Sequence, residues 1–120
     1  KEFTNCIEVA IVTDKGTIDI RGAIFGKKEP RVVFYNGYDL DFTPDGNMLF
    51  CNANDRPGLI GGIGTRLGEL GINIAQMKWA RKTQAGDAIV VLTTDDPLDK
   101  AALEKVRSIE NITSATAIKI

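Results

Sequence analysis

The sequence predicts an α+β protein: a small antiparallel β segment over residues 1–45, then a β-α-β-β-α-β domain over residues 46–120. Three observations predict it. Before the turn cluster Thr43-Pro44-Asp45-Gly46-Asn47, apolar residues recur with period two. After it, two segments change to the helical period. Each of those segments follows a proline and is flanked by strand-like runs.

In the first part, Ile7, Val9 and Ile11 take one side of a strand that ends at Thr13-Asp14-Lys15-Gly16. Ile18 and Ile20 continue in a second strand, the pair reading as a hairpin. Gly26-Lys27-Lys28-Glu29-Pro30 breaks the pattern, and Arg31 to Tyr35 is a third strand. Asn36-Gly37 is a tight-turn dipeptide, after which Tyr38, Leu40 and Phe42 alternate with Asp39 and Asp41. With no helix to cover a face, this half reads as part of a larger domain.

In the second part, Met48 to Ala53 is a strand. Leu59, Ile60, Ile63, Leu67 and Leu70 share one helical face, opened by Pro57 and closed by Gly71. Ile72 to Ala80 and Ala88 to Thr94 read as strands joined by a turn at Thr83-Gln84-Ala85-Gly86-Asp87. Asp96-Pro97 opens a second helix carrying Leu98, Ala102, Val106 and Ile109, and Ile112 to Ile120 is a last strand. This is the ferredoxin-like split βαβ order, with both helices on one face of an antiparallel sheet.

Composition narrows the function. Fifteen basic residues against 16 acidic ones give a net charge of -1, which recommends neither nucleic acid nor an anionic membrane as partner. No apolar run approaches the roughly 20 residues that span a bilayer, and no signal-peptide pattern is present. Histidine is absent, which removes the commonest general base and zinc ligand together. Cys6 and Cys51 sit among apolar neighbours and read as buried, reduced thiols of a cytoplasmic protein. The sequence offers no catalytic residue and no metal-ligand set. A start at Lys1, directly in strand-like sequence, reads as a piece of something longer.

The segment Asn54 to Met77 carries most of the functional signal. Asp55 supplies an anion, the helix start around Gly58 supplies backbone donors, and Asn73 is expected nearby in space with an amide that both donates and accepts. A free amino acid carries an ammonium and a carboxylate side by side, so acceptor and donors placed together suit it. Each residue also has a plainer reading. Asp55 suits a helix start through the helix dipole, and Asn73 suits a strand cap. Gly58, Gly61, Gly62 and Gly64 weaken an isolated helix by roughly 1 kcal/mol each, so close approach to the backbone or tight packing is expected there. Their spacing matches neither nucleotide-binding glycine motif. Lys27, Lys28 and Arg31 read as a solvated basic run or a weak anion site. Met77 and Trp79 read as core or interface, sharing a strand face with Asn73.

Asp55-Arg56-Pro57-Gly58 followed by Gly71-Ile72-Asn73-Ile74-Ala75 resembles the ACT domain, an amino-acid-sensing regulatory module. Gly22-Ala23-Ile24-Phe25-Gly26, Glu29-Pro30-Arg31-Val32-Val33 and Asn36-Gly37-Tyr38 resemble the closing part of the intervening, or allosteric substrate-binding, domain of the D-3-phosphoglycerate dehydrogenase family. The resemblance covers essentially the whole chain and leaves that family's catalytic and NAD-binding domains outside it. It implies the regulatory end of an NAD-dependent enzyme of serine synthesis, inhibited by L-serine and assembled as a homodimer or homotetramer.

Carried over, Asp55 matches the residue that meets the effector's amino group, and Asn73 the asparagine that reaches it across the dimer interface. Gly58, Asn54, Leu59 and Ile74 complete the implied serine site. Ala53 departs from the histidine or tyrosine the family often has there, with Asn52 or Asn54 as substitutes. Arg31, with Lys27, falls where a basic residue can hold an anion. Two other readings remain open: the β subunit of iron–sulfur L-serine dehydratase, which also resembles a β-rich piece followed by an ACT domain, and an oligomerisation module without a ligand.

Overall fold

The computed structural model describes residues 5–13, 16–25, 29–81 and 86–120, with side chains from 19–23, 30–81 and 86–120. The chain divides into two compact units, Lys1–Pro44 and Asp45–Ile120.

The first unit is a meander of β1 (Asn5–Thr13), β2 (Gly16–Phe25), β3 (Glu29–Tyr35) and β4 (Tyr38–Phe42), paired in that order in one antiparallel sheet. β3 begins at Glu29, so Pro30 lies inside the strand rather than in the break expected before it. It stands second from the end, where a missing N–H costs little pairing. Asn36 and Gly37 both take positive φ (46° and 92°), the paired left-handed conformation of a two-residue hairpin. Along β4, Tyr38, Leu40 and Phe42 are buried while Asp39 is exposed.

The second unit runs β5 (Asn47–Asn54), α1 (Leu59–Glu69), β6 (Ile74–Arg81), β7 (Asp87–Thr94), α2 (Lys100–Arg107) and β8 (Ile112–Lys119). Its sheet has the order β6-β7-β5-β8, and every pairing is antiparallel. One sheet face meets the helices through a core of Leu49, Cys51, Leu59, Ile63, Leu67, Val90, Leu92 and Val106, all buried. Each fully buried leucine or isoleucine contributes about 1.5–3 kcal/mol.

The helix ends follow capping chemistry, with two departures from the sequence reading. Pro57 precedes the N-cap rather than opening the helix; Gly58 is the N-cap, at φ 87°. At the other end, Ile72 N–H bonds the Leu67 carbonyl (2.9 Å) and Gly71 N–H the Gly68 carbonyl (3.0 Å). With Gly71 at φ 71° this is a Schellman closure. Asp96-Pro97 does not open α2. The cap is Asp99, whose carboxylate accepts from the Ala102 amide at 2.7 Å, because only there does a side-chain oxygen reach a free first-turn donor.

A register shift between Ile74 and Gln76 sets the face that β6 presents. Because of it, Ile74 and Met77 both pack against the helix-side core. Trp79 and Arg81 oppose Val90 and Ala88, which belong to that core, so both project to the helix side. Trp79 is therefore not on the helix-free face of the sheet, and Asn73 lies before the strand rather than on a face shared with Met77 and Trp79.

Candidate functional site

β5 and β6 both run antiparallel to the β7 between them, so they run parallel to one another. Asp55 follows the C-terminal end of β5, and Asn73 precedes the N-terminal end of β6. The two residues therefore stand at opposite ends of the sheet, not near one another as expected within one chain. An eight-residue strand separates the ends by roughly 25 Å.

At the first end, the Asp55 amide donates to the Gly86 carbonyl at 2.7 Å, tying the turn to the start of β7. The Asp55 carboxylate accepts from Arg81 Nη1 at 3.0 Å. It does not cap α1, whose N-terminus has no side-chain cap and no acidic residue in its first turn. The Asp55 side chain is 13% exposed and that of Arg81 48%, so the carboxylate is recessed and the guanidinium stands at the rim. The Arg81 guanidinium also lies over the Trp79 ring, 5.7 Å from its centroid.

Sequence reasoning missed Arg81. Its partner is 26 residues away, and the two meet only because β7 holds β5 and β6 in register. The signal present was a cation at the end of a strand whose parallel neighbour is followed by an anion.

The remaining site residues fall into three groups. Gly58 is exposed, and with Gly61, Gly62, Ile109 and Asn111 it lines an open groove beside α1. A Cβ placed at Gly58, Gly61 or Gly64 would meet nothing within 4 Å, whereas one at Gly62 would lie 3.5 Å from Ile109, so of these four glycines Gly62 is the one that packs on a described neighbour. Leu59 is buried in the core, and Ile74 packs against it. Asn54 is exposed, its amide bonding the Asn111 carbonyl at 2.8 Å. Asn52 Nδ2 donates to Ser114 Oγ at 2.9 Å, and Ala53 is buried in the core.

At the far end, the Asn73 carbonyl accepts from the Asp95 amide at 3.1 Å. Its side chain is exposed and has no partner among the described residues. In the first unit, Arg31 Nε donates to Asp41 at 2.8 Å, so the chain itself supplies an anion to Arg31. Lys27 lies outside the described residues. Cys51 is fully buried, and burial pushes its thiol up to about 12. Cys6 lies where side chains are not described. Among the described residues no cluster of potential metal ligands occurs, and no helix is long and apolar enough to cross a membrane.

A family model for the ACT domain matches residues 47–111, which run from the start of β5 through α2 and stop just before β8. The chain belongs to the ACT-domain family. Over its full length it is 33% identical to a D-3-phosphoglycerate dehydrogenase of Methanocaldococcus jannaschii, covering 23% of that protein. It is 31% identical over 98% of its length to the Bacillus subtilis D-3-phosphoglycerate dehydrogenase, covering 22% of it. With the chloroplastic D-3-phosphoglycerate dehydrogenase 2 of Arabidopsis thaliana it shares 29% identity over 91% of its length. The chain thus spans less than a quarter of these relatives and is homologous to their C-terminal regulatory region.

Proposed function

We propose that this ACT chain is the regulatory end of a D-3-phosphoglycerate dehydrogenase and senses L-serine, or another small amino acid, at a seam between two copies. The observation that carries the reading is the placement of an anionic Asp55 beside the uncapped start of α1 at one end of the sheet, with an uncommitted Asn73 at the other. One copy cannot close a site from both.

A second copy can. β6 is an edge strand, and natural proteins pair or cover such edges. Antiparallel pairing of β6 with its counterpart about a two-fold axis brings the Asn73 end of one copy to the Asp55 end of the other. Trp79, 46% exposed on that strand, and the open glycine face of α1 suit such a seam. A ligand touching both copies stabilises one arrangement and so biases an attached enzyme toward one state. In this reading the assembly is a homodimer or homotetramer, and NAD and 3-phosphoglycerate are handled by parts of the enzyme outside this chain. Similarity to relatives named as dehydrogenases favours that parent over a serine dehydratase.

Calorimetry of the chain with L-serine tests the reading. Saturable binding is expected, tighter than for D-serine or L-alanine. Asp55→Ala or Asn73→Ala should weaken it roughly ten- to hundredfold, the range for hydrogen bonds to charged groups. Equal affinity in wild type and Asp55→Ala would move the site elsewhere. A ligand-free oligomerisation module is the second reading, favoured by the cation that Asp55 already holds at 3.0 Å. Persistent dimers that take up no amino acid would select it.

A further inference from the structure

We propose that the Arg81 guanidinium is the receptor for the α-carboxylate of the amino acid bound at this site, while Asp55 takes the α-ammonium. The inference rests on the amino-acid-binding reading above and adds a residue to it. Its basis is the form of the ion pair. A guanidinium and a carboxylate can meet through two parallel hydrogen bonds that saturate both facing edges. Here one contact is made, Nη1 to Oδ2 at 3.0 Å. Oδ1 of Asp55, and Nε and Nη2 of Arg81, have no other hydrogen-bond partner among the described residues. An acceptor edge and a donor edge are thus left side by side.

That arrangement mirrors the ligand. In an α-amino acid the ammonium and carboxylate are held two bonds apart on one carbon, so they present adjacent opposite charges. Laid against the Asp55–Arg81 pair in the reverse sense, each charge meets its opposite on the protein and keeps its own neighbour. Four alternating charges then share a site without any of them being left unpaired, which avoids the penalty of a buried lone charge. Exposure sets the direction of entry. Asp55 is recessed at 13% exposed and Arg81 stands at the rim at 48%, so the ammonium enters first and the carboxylate stays outermost. The Trp79 ring beneath the guanidinium limits its swing, which lowers the entropy lost on binding.

This pair recognises the backbone of an amino acid and is indifferent to its side chain. Discrimination of serine from other small amino acids then falls to groups outside it, Asn73 of a second copy among them.

Calorimetry with two probes, L-serine and L-serinamide, tests the assignment on the full chain, since the amide keeps the ammonium and hydroxyl and lacks the carboxylate. Arg81→Ala should weaken L-serine roughly ten- to hundredfold and leave the already weaker binding of L-serinamide within about twofold. Arg81→Lys, which keeps the charge and loses the fork, should restore part of the L-serine affinity. Loss of both ligands to the same degree in Arg81→Ala, or of neither, overturns the inference. If L-serine binding is lost in Asp55→Ala but unchanged in Arg81→Ala, the inference falls and the functional reading stands. If wild type binds neither L-serine nor glycine nor L-alanine, both fall.

Discussion

Arg81, the last residue of β6, reaches past the end of β7 to place Nη1 3.0 Å from the carboxylate of Asp55, the first residue beyond β5. The pair joins two strands that never touch directly, and it stands at the solvent edge. A pair whose guanidinium is 48% exposed contributes about 0–1 kcal/mol, because a long side chain is ordered at the edge of a high-dielectric solvent. Arg81→Ala should therefore cost at most about 1 kcal/mol of unfolding free energy, measured by urea titration. A loss of several kcal/mol would make Arg81 a structural residue and remove it as a clean ligand probe.

Two glycines of the same helix region should respond to alanine with opposite signs. Gly58 sits at φ 87°, where an L side chain is strained, so Gly58→Ala should destabilise by roughly 1–2 kcal/mol with no clash involved. Gly64 lies within α1 and faces open space. Gly64→Ala should stabilise the chain by about 0.4–1 kcal/mol at protein concentrations that favour the monomer. If α1 faces a second copy, that gain should shrink and reverse as concentration rises. Urea unfolding at two concentrations reads both; a gain independent of concentration would take α1 out of the seam.

Cys51 makes a pH prediction whose sign follows from burial. Its thiol is raised from 9.0 to about 12 in the folded chain. Between those values the folded state holds a proton that the unfolded state has released, so stability is fully present below about pH 9 and falls as pH rises toward 12. In a Cys6→Ser background, Cys51 should resist thiol reagents at pH 8 until denaturant is added. Rapid labelling of the native protein would show that its side of the core opens readily.

Periodicity and turn chemistry made the architecture legible. Leu59, Ile63 and Leu67 are spaced for one helical face whatever surrounds them, and Asn36-Gly37 needs no tertiary context to form its turn. Features that depend on pairing were not legible. The irregularity between Ile74 and Gln76 carries Trp79 to the helix side, and alternation counted from Asn73 cannot anticipate an extra residue. Asp99 outcompetes Asp96 as the α2 cap through a 2.7 Å bond that depends on where the chain arrives from β7. Likewise Arg31 was legible as a cation, but its partner Asp41 emerges only when β3 meets β4. Asp55 and Asn73 were recognisable as residue types suited to an amino acid; that they end on opposite ends of the sheet follows only from strand order.

That last separation makes a mixed dimer the most discriminating experiment. If a site is built from Asp55 of one copy and Asn73 of the other, each dimer holds two such sites. Pairing an Asp55→Ala chain with an Asn73→Ala chain, isolated by two different tags, removes both contacts from one site and neither from the other. L-Serine should then bind with near-wild-type affinity and half the wild-type stoichiometry. Each parent homodimer should instead lack one contact in both sites and bind roughly ten- to hundredfold more weakly. If every site lay within one chain, the mixed dimer would carry two singly damaged sites and no tight one. The strand order argues against that second result, because residues roughly 25 Å apart cannot both touch one small amino acid. Recovery of a tight half-site would therefore establish both the seam and its two-fold geometry, and its absence would discard them together.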